Sequence, residues 1–111
     1  MVDRFELEEG LKSELDIQIT DEGIQLPENT AGTECLANVA NFLFKNDYLL
    51  KSDLPIKSGY KRYLINSEPV HQTGDEMFRP KELQQDLYIE TNFNNEGIKR
   101  KIEFLVRISS D

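Results

Sequence analysis

Gly59–Phe93 reads GYKRYLINSEPVHQTGDEMFRPKELQQDLYIETNF. Two apolar runs, Tyr60–Ile65 and Leu87–Thr91, flank a polar, charged excursion. In the first, Tyr60, Arg62 and Leu64 alternate with Lys61, Tyr63 and Ile65, the period of a strand with two usable faces. The second has the length and composition of another central strand. Between them, Asn66–Gly74 contains Pro69 and Gly74 and reads as a loop. Glu76–Lys81 reads as a short edge element that ends near Pro80, because proline donates no ladder hydrogen bond.

An Asn-rich turn (Asn92, Asn94, Asn95) leads from the second strand into a helix. Asn94 or Asn95 can cap it, and Glu96 in the first turn suits the helix dipole. Ile98, Ile102, Leu105 and Val106 form its buried face. Lys99, Arg100 and Lys101 fall on the exposed side, and Ser109–Asp111 is expected to fray.

Upstream, Leu36, Val39, Ala40, Leu43 and Phe44 recur at helical spacing, with Phe42 near the edge of that face. Thr33 is a suitable N-cap, as are Asn29 and Thr30. Asn46-Asp47 ends this helix. Tyr48–Leu54 reads as a second short helix, Leu50 and Leu54 inward, stopped by Pro55. The two would form a helical hairpin, with Ser58-Gly59 as the turn after it. Residues 16–26 alternate polar and apolar around Asp21-Glu22-Gly23, which predicts a β-hairpin. PENTAG (27–32) is a loop. Leu7, Leu11 and Leu15 share a helical face over residues 3–14, although Gly10 costs about 1 kcal/mol relative to Ala. A strand over 4–7 is the alternative. The expected class is α+β: a helical hairpin and C-terminal helix on a small, mostly antiparallel sheet, with an N-terminal β-hairpin. The 111 residues suit one domain, comprising an acidic extension over 1–34 and a core over 35–108.

Charge is unevenly placed. The net charge is −8, yet residues 1–34 carry ten Asp/Glu against two Lys/Arg, and residues 35–111 carry eleven of each. The whole excess therefore lies in the first third. An acidic protein repels phosphates, but binding answers to the local field. There is no run of 18 apolar residues and no apolar leader, so neither a membrane span nor a secretory signal is expected. One cysteine, Cys35, excludes an internal disulfide. Among Leu36, Ala37 and Val39 it reads as a small buried hydrophobe. The expected location is the cytoplasm.

Enzyme chemistry finds little support. The single histidine, His71, lies near Glu68, Asp75 and Glu76, with no second histidine to complete a metal-ligand set. It reads as part of a solvent loop. Nucleophilic catalysis by Cys35 with His71 would need an exposed thiolate. No Gly-rich phosphate loop is present. A non-enzymatic domain without cofactor or metal is expected.

The cations are more informative. Lys57, Lys61 and Arg62 open the first central strand, Arg79 and Lys81 lie in the connection, and Lys99, Arg100 and Lys101 begin the last helix. If the two strands pair, these groups could face one cleft and neutralise phosphates. Asn can contact adenine through two hydrogen bonds; as a bland alternative, the Asn residues form only an Asx turn and a cap.

The order of these elements resembles the C-terminal DNA-binding domain of the SeqA family of replication-sequestration proteins. GYKR precedes a strand, RPKEL follows the loop, and YIETNFN enters a helix containing IKRKI. The family has G-R-T-R, then T-K-P-K, then Y-W-V-I-T-N-T-N-T-G-R-K in these places. The resemblance spans about residues 35–106. It implies an α+β fold and recognition of hemimethylated GATC duplexes. By position, Gly59, Lys61 and Arg62 fall on the first motif, with Arg62 contacting backbone or base. Asn92 and Asn94 fall on the base-reading asparagines and Lys99 on the phosphate-facing region; the expected phosphate contacts are Lys61, Arg62, Lys99 and Arg100. Tyr60 and Lys61 stand where the family has Arg and Thr, and Phe93 where it has Thr. The implied partner is duplex DNA, methylated or hemimethylated at adenine, in a replication or restriction–modification setting. The rival expectation is a protein-interaction, adaptor or inhibitor module whose acidic residues 1–34 face a basic partner.

Overall fold

The structure, a computed structural model, describes residues 4–59 and 61–110. Asp3, Tyr60 and Asp111, for which a helix start, a strand start and fraying were expected, lie outside the described residues.

Helix α1 (Arg4–Leu15) buries Leu7 and Leu11 completely, so the helical reading of this segment holds over the strand alternative. Gly10 has a packing reason as well as a propensity cost: a Cβ there would lie 2.8 Å from the Phe42 ring. Strands β1 (Gln18–Thr20) and β2 (Gly23–Gln25) form the expected hairpin, with Ile19 opposite Ile24. Gly23 has φ +121°, which a residue without Cβ adopts freely.

Helix α2 (Gly32–Lys45) starts between the expected cap positions. Its N-cap is Ala31, without a side-chain cap, rather than Thr33, Asn29 or Thr30. A Cβ on Gly32 would lie 3.1 Å from Asn95 Oδ1 and 3.5 Å from Ile98. Close packing against the last helix, not a hydroxyl cap, fits this start. Leu36, Val39, Ala40, Leu43 and Phe44 are buried as expected, and so are Cys35 and Phe42.

The second arm of the helical hairpin is not formed. Tyr48–Leu54 contains one 3-10 turn, Lys51–Asp53, in which the Asp53 carboxylate accepts the Leu50 N–H at 2.9 Å. That local bond and the extended Leu54 before Pro55 leave no room for a further turn. Leu49 is the buried leucine here, whereas Leu50 is 48% exposed.

A four-stranded antiparallel sheet follows, in the order β3-β4-β6-β5. It comprises β3 (Ile56–Gly59), β4 (Arg62–Asn66), β5 (Pro80–Gln84) and β6 (Leu87–Glu90). Two sequence expectations need correction. Ser58-Gly59 is strand rather than turn, because Ile56 and Gly59 pair with Ile65 and Arg62, and the chain reverses through Lys61 at φ 63°. Pro80 begins β5 rather than ending an element; as the first residue of an edge strand it gives up no ladder bond.

Helix α3 (Asn95–Ser109) is capped by Asn94 and buries Ile98, Ile102, Leu105 and Val106. Ser109 does not fray: it is helical and 5% exposed. The Ser110 hydroxyl donates to Val106 O at 2.8 Å. Leu7, Leu11, Ile17 and Ile24 join one core with α2, the sheet and α3. The class is α+β, with the C-terminal helix on a small antiparallel sheet. Among the described residues no helix is long and apolar enough to cross a membrane.

Candidate nucleic-acid interface

The sheet register decides which cations meet. Strands β4 and β6 are antiparallel, with Ile65 opposite Ile89 and Asn66 opposite Tyr88. The start of β4, at Arg62, and the end of β6, leading to Asn92, therefore lie at one end of the sheet. Pro80 opposite Glu90 brings Arg79 to the same end. Thr91 secures it there: its N–H and its hydroxyl both donate to Arg79 O, at 3.0 and 2.8 Å.

Lys101 ties α3 to this end. It is half-buried rather than on the exposed side, because the Nζ donates to Ser58 O at 3.2 Å and lies 5.3 Å from the centre of the Phe93 ring. Burial first, and neighbouring Arg100 second, hold its pKa below the ordinary lysine value. The lysine thus joins the β3 end to the loop that carries Asn92 and Asn94.

The six residues singled out from sequence divide into three settings. Lys61, Arg62 and Asn92 are exposed at the sheet end. Asn94 is there too, but its Oδ1 accepts the Gly97 N–H at 2.8 Å, so the side chain serves as a helix cap. Lys99 and Arg100 lie elsewhere. They line a groove of about 650 Å3 between α3 and the β1–β2 hairpin, facing Asp21 and Glu22. Lys99 is 4.0 Å from Glu96 on its own helix. Arg4, which shares this groove, holds Glu8 at 3.0 Å and Glu103 at 2.9 Å. These carboxylates raise the Arg4 pKa, the Glu103 hydrogen bond most. Of the other cations, Lys57 and Lys81 are exposed on β3 and β5, opposite edges of the sheet.

Loop 67–79 is tied down by buried polar groups that sequence reading missed. Glu90, 3% exposed, accepts the N–H of Phe78 at 2.9 Å and of Arg79 at 2.8 Å. His71 is not in solvent: it is 8% exposed, and its Nδ1 accepts the Tyr63 N–H at 3.0 Å. A carboxylate inside the apolar run LYIE was the one signal for the first clamp; a lone histidine in a polar loop gave none for the second. The Cys35 thiol is 1% exposed, and burial, helped by Glu34, raises its pKa. Among the described residues no three His, Cys, Asp or Glu side chains are grouped to hold a metal ion. No protein-family model, curated protein or solved structure matches the chain.

Proposed function

We propose that the chain is a non-enzymatic DNA-binding domain that docks the end of its sheet on duplex DNA and discriminates adenine modification. One observation carries the reading: β4–β6 pairing and the Lys101 bridge gather Arg62, Lys61, Arg79 and Asn92 at one end of the fold. Cations there would neutralise phosphates, and an exposed Asn offers the donor–acceptor pair that adenine accepts. Asn92 takes the base-reading role, because Asn94 is engaged in capping α3. Lys99 and Arg100 would add phosphate contacts from the groove side.

The test is fluorescence anisotropy at low salt with unmodified, hemimethylated and fully methylated GATC duplexes beside a scrambled one. Binding should weaken steeply with salt. Arg62→Ala should weaken every duplex alike, whereas Asn92→Ala should erode discrimination by on the order of 1–3 kcal/mol. Equal loss on all duplexes for both variants would remove the division of roles, and no salt-sensitive binding would remove the reading.

A second reading, a protein-interaction module, is favoured by the mixed-charge groove between Asp21-Glu22 and α3. Deleting residues 1–34 cannot test it cleanly, because Leu7, Leu11, Ile17 and Ile24 belong to the core. Neutralising Asp21 and Glu22 can: it should weaken a basic partner while leaving the fold intact.

A further inference from the structure

His71 Nε2 is a buried atom without a hydrogen-bond partner among the described residues. The other ring nitrogen determines its state. Nδ1 accepts the Tyr63 N–H, so it carries no proton, and the neutral ring holds its proton on Nε2. That N–H is a buried donor in need of an acceptor, a feature that folded proteins ordinarily satisfy.

His71 lines a cavity of about 260 Å3 between the β3–β4 turn and loop 67–79. Lys61 and Arg62 bring two cations to it, and Asp75 and Glu76 bring two carboxylates. Asp75 Oδ2 already accepts the Thr73 hydroxyl at 2.9 Å, which leaves its second oxygen for another donor. The Phe78 ring, 74% exposed, supplies an apolar plane.

We propose that this cavity binds a single unstacked nucleotide. A simple anion would meet the two carboxylates, and a simple cation would meet Lys61 and Arg62. A nucleotide answers both. A ring nitrogen or carbonyl of the base accepts the Nε2–H, and an exocyclic amine donates to Asp75 or Glu76. Phe78 stacks on the base face, as aromatic side chains do with any base, and the phosphate goes to Arg62 and Lys61. Bases with an exocyclic amine are therefore preferred over thymine. Nε2 itself is covered by protein, so a base reaches it only when a side chain at the cavity rim moves aside; exposed Arg62 and Phe78 are the ones at hand. The inference rests on the DNA-binding reading only for the source of the nucleotide, a base extruded from a duplex rather than a free one.

His71 is the only histidine, so its imidazole signals in a long-range 1H–15N NMR spectrum need no assignment. The full chain would be titrated with dAMP, deoxyadenosine, dTMP and inorganic phosphate, and with duplexes that are perfect or carry one unpaired adenine. The proposal expects dAMP and deoxyadenosine to shift Nε2 while Nδ1 stays an acceptor, with dTMP several-fold weaker. Phe78→Ala and Arg62→Ala, both at exposed positions, should each weaken dAMP roughly tenfold, the loss of one good contact. A response to the unpaired-adenine duplex alone would also support the site and assign the source to extruded bases. Silence at Nε2 with every nucleotide and duplex, or a shift with phosphate alone, would overturn it. A shift with dAMP alongside no duplex binding of any kind would remove the DNA reading and leave the nucleotide site standing.

Discussion

The β1–β2 turn and loop 67–79 are both polar and charged, and they differ in what holds them. Asp21-Glu22 is organised by its neighbours: the Thr20 hydroxyl donates to Gly23 O at 3.1 Å and accepts the Glu22 N–H at 3.2 Å. Loop 67–79 has local bonds too, the His71 N–H to Asp75 O at 2.8 Å and the Gly74 N–H to His71 O at 2.9 Å among them, but it is also anchored from a distance. Glu90 clamps Phe78 and Arg79, Thr91 holds Arg79 O, and the Tyr63 N–H reaches His71. The first needs only turn propensity. The second needs the sheet to be formed, because its anchors come from β4 and from the end of β6. A local turn tolerates substitution, whereas a loop pinned through buried polar groups fails when one anchor is removed.

The largest effect should follow removal of the carboxylate at position 90. Glu90→Leu leaves two backbone N–H groups without their charged acceptor, at a cost of about 3 kcal/mol. Urea unfolding would read the loss. Amide exchange should quicken at Phe78 and Arg79 while β1–β2 is unchanged. Glu90→Gln keeps one acceptor oxygen and should cost about half as much. A loss under about 1 kcal/mol for Glu90→Leu would erase the contrast between the two loops.

The same contrast explains how far the sequence could be read. Helical faces repeat over one chain segment, so Leu7 and Leu11, Leu36 to Phe44, and Ile98 to Val106 were visible. Strand β3 was not. Its sequence, IKSG, has one apolar residue, and it is a strand because β4 pairs with it. The end of β6 and the Asn-rich turn were legible as a candidate surface through their flanking cations. The fates of Lys99, Arg100 and Lys101 were not. Consecutive residues on a helix point about 100° apart, so three cations in a row cannot share a face. Which of them turns inward depends on Ser58 and Phe93, remote in sequence or across the cap. His71 and Glu90 were hidden for a similar reason: their partners are main-chain N–H groups, which no residue type announces.

A smaller effect is expected at Asn94, where the anchor is again local. Asn94→Ala removes the acceptor for the Gly97 N–H and should cost about 1 kcal/mol in thermal or urea unfolding. Asn94→Asp keeps an acceptor at the positive end of α3 and should preserve stability. If Asn94 reads bases as well as capping, Asn94→Ser, which caps without adding a charge, will keep the fold and still lose DNA affinity. Unchanged affinity would leave Asn92 as the reader.

The smallest effect on stability should come from Asp21→Asn with Glu22→Gln. Both carboxylates are exposed, and neither pairs with a described cation, although Lys99, Arg100 and Arg107 lie across the groove. Exposed charges at such separations are weakly coupled in salt, where the screening length is about 10 Å at 0.1 M. The double variant should therefore unfold within about 0.5 kcal/mol of the parent. Its effect on binding should be larger. Losing two carboxylates takes the net charge from −8 to −6 and removes repulsion close to the α3 cations. Affinity for duplex DNA should rise a few-fold at low salt, and the gain should vanish as salt is raised. A gain that persists in high salt would mean that the turn obstructs the groove physically. A marked loss of stability would mean that its charges help to hold the hairpin against α3, and the local turn would then be no more autonomous than loop 67–79.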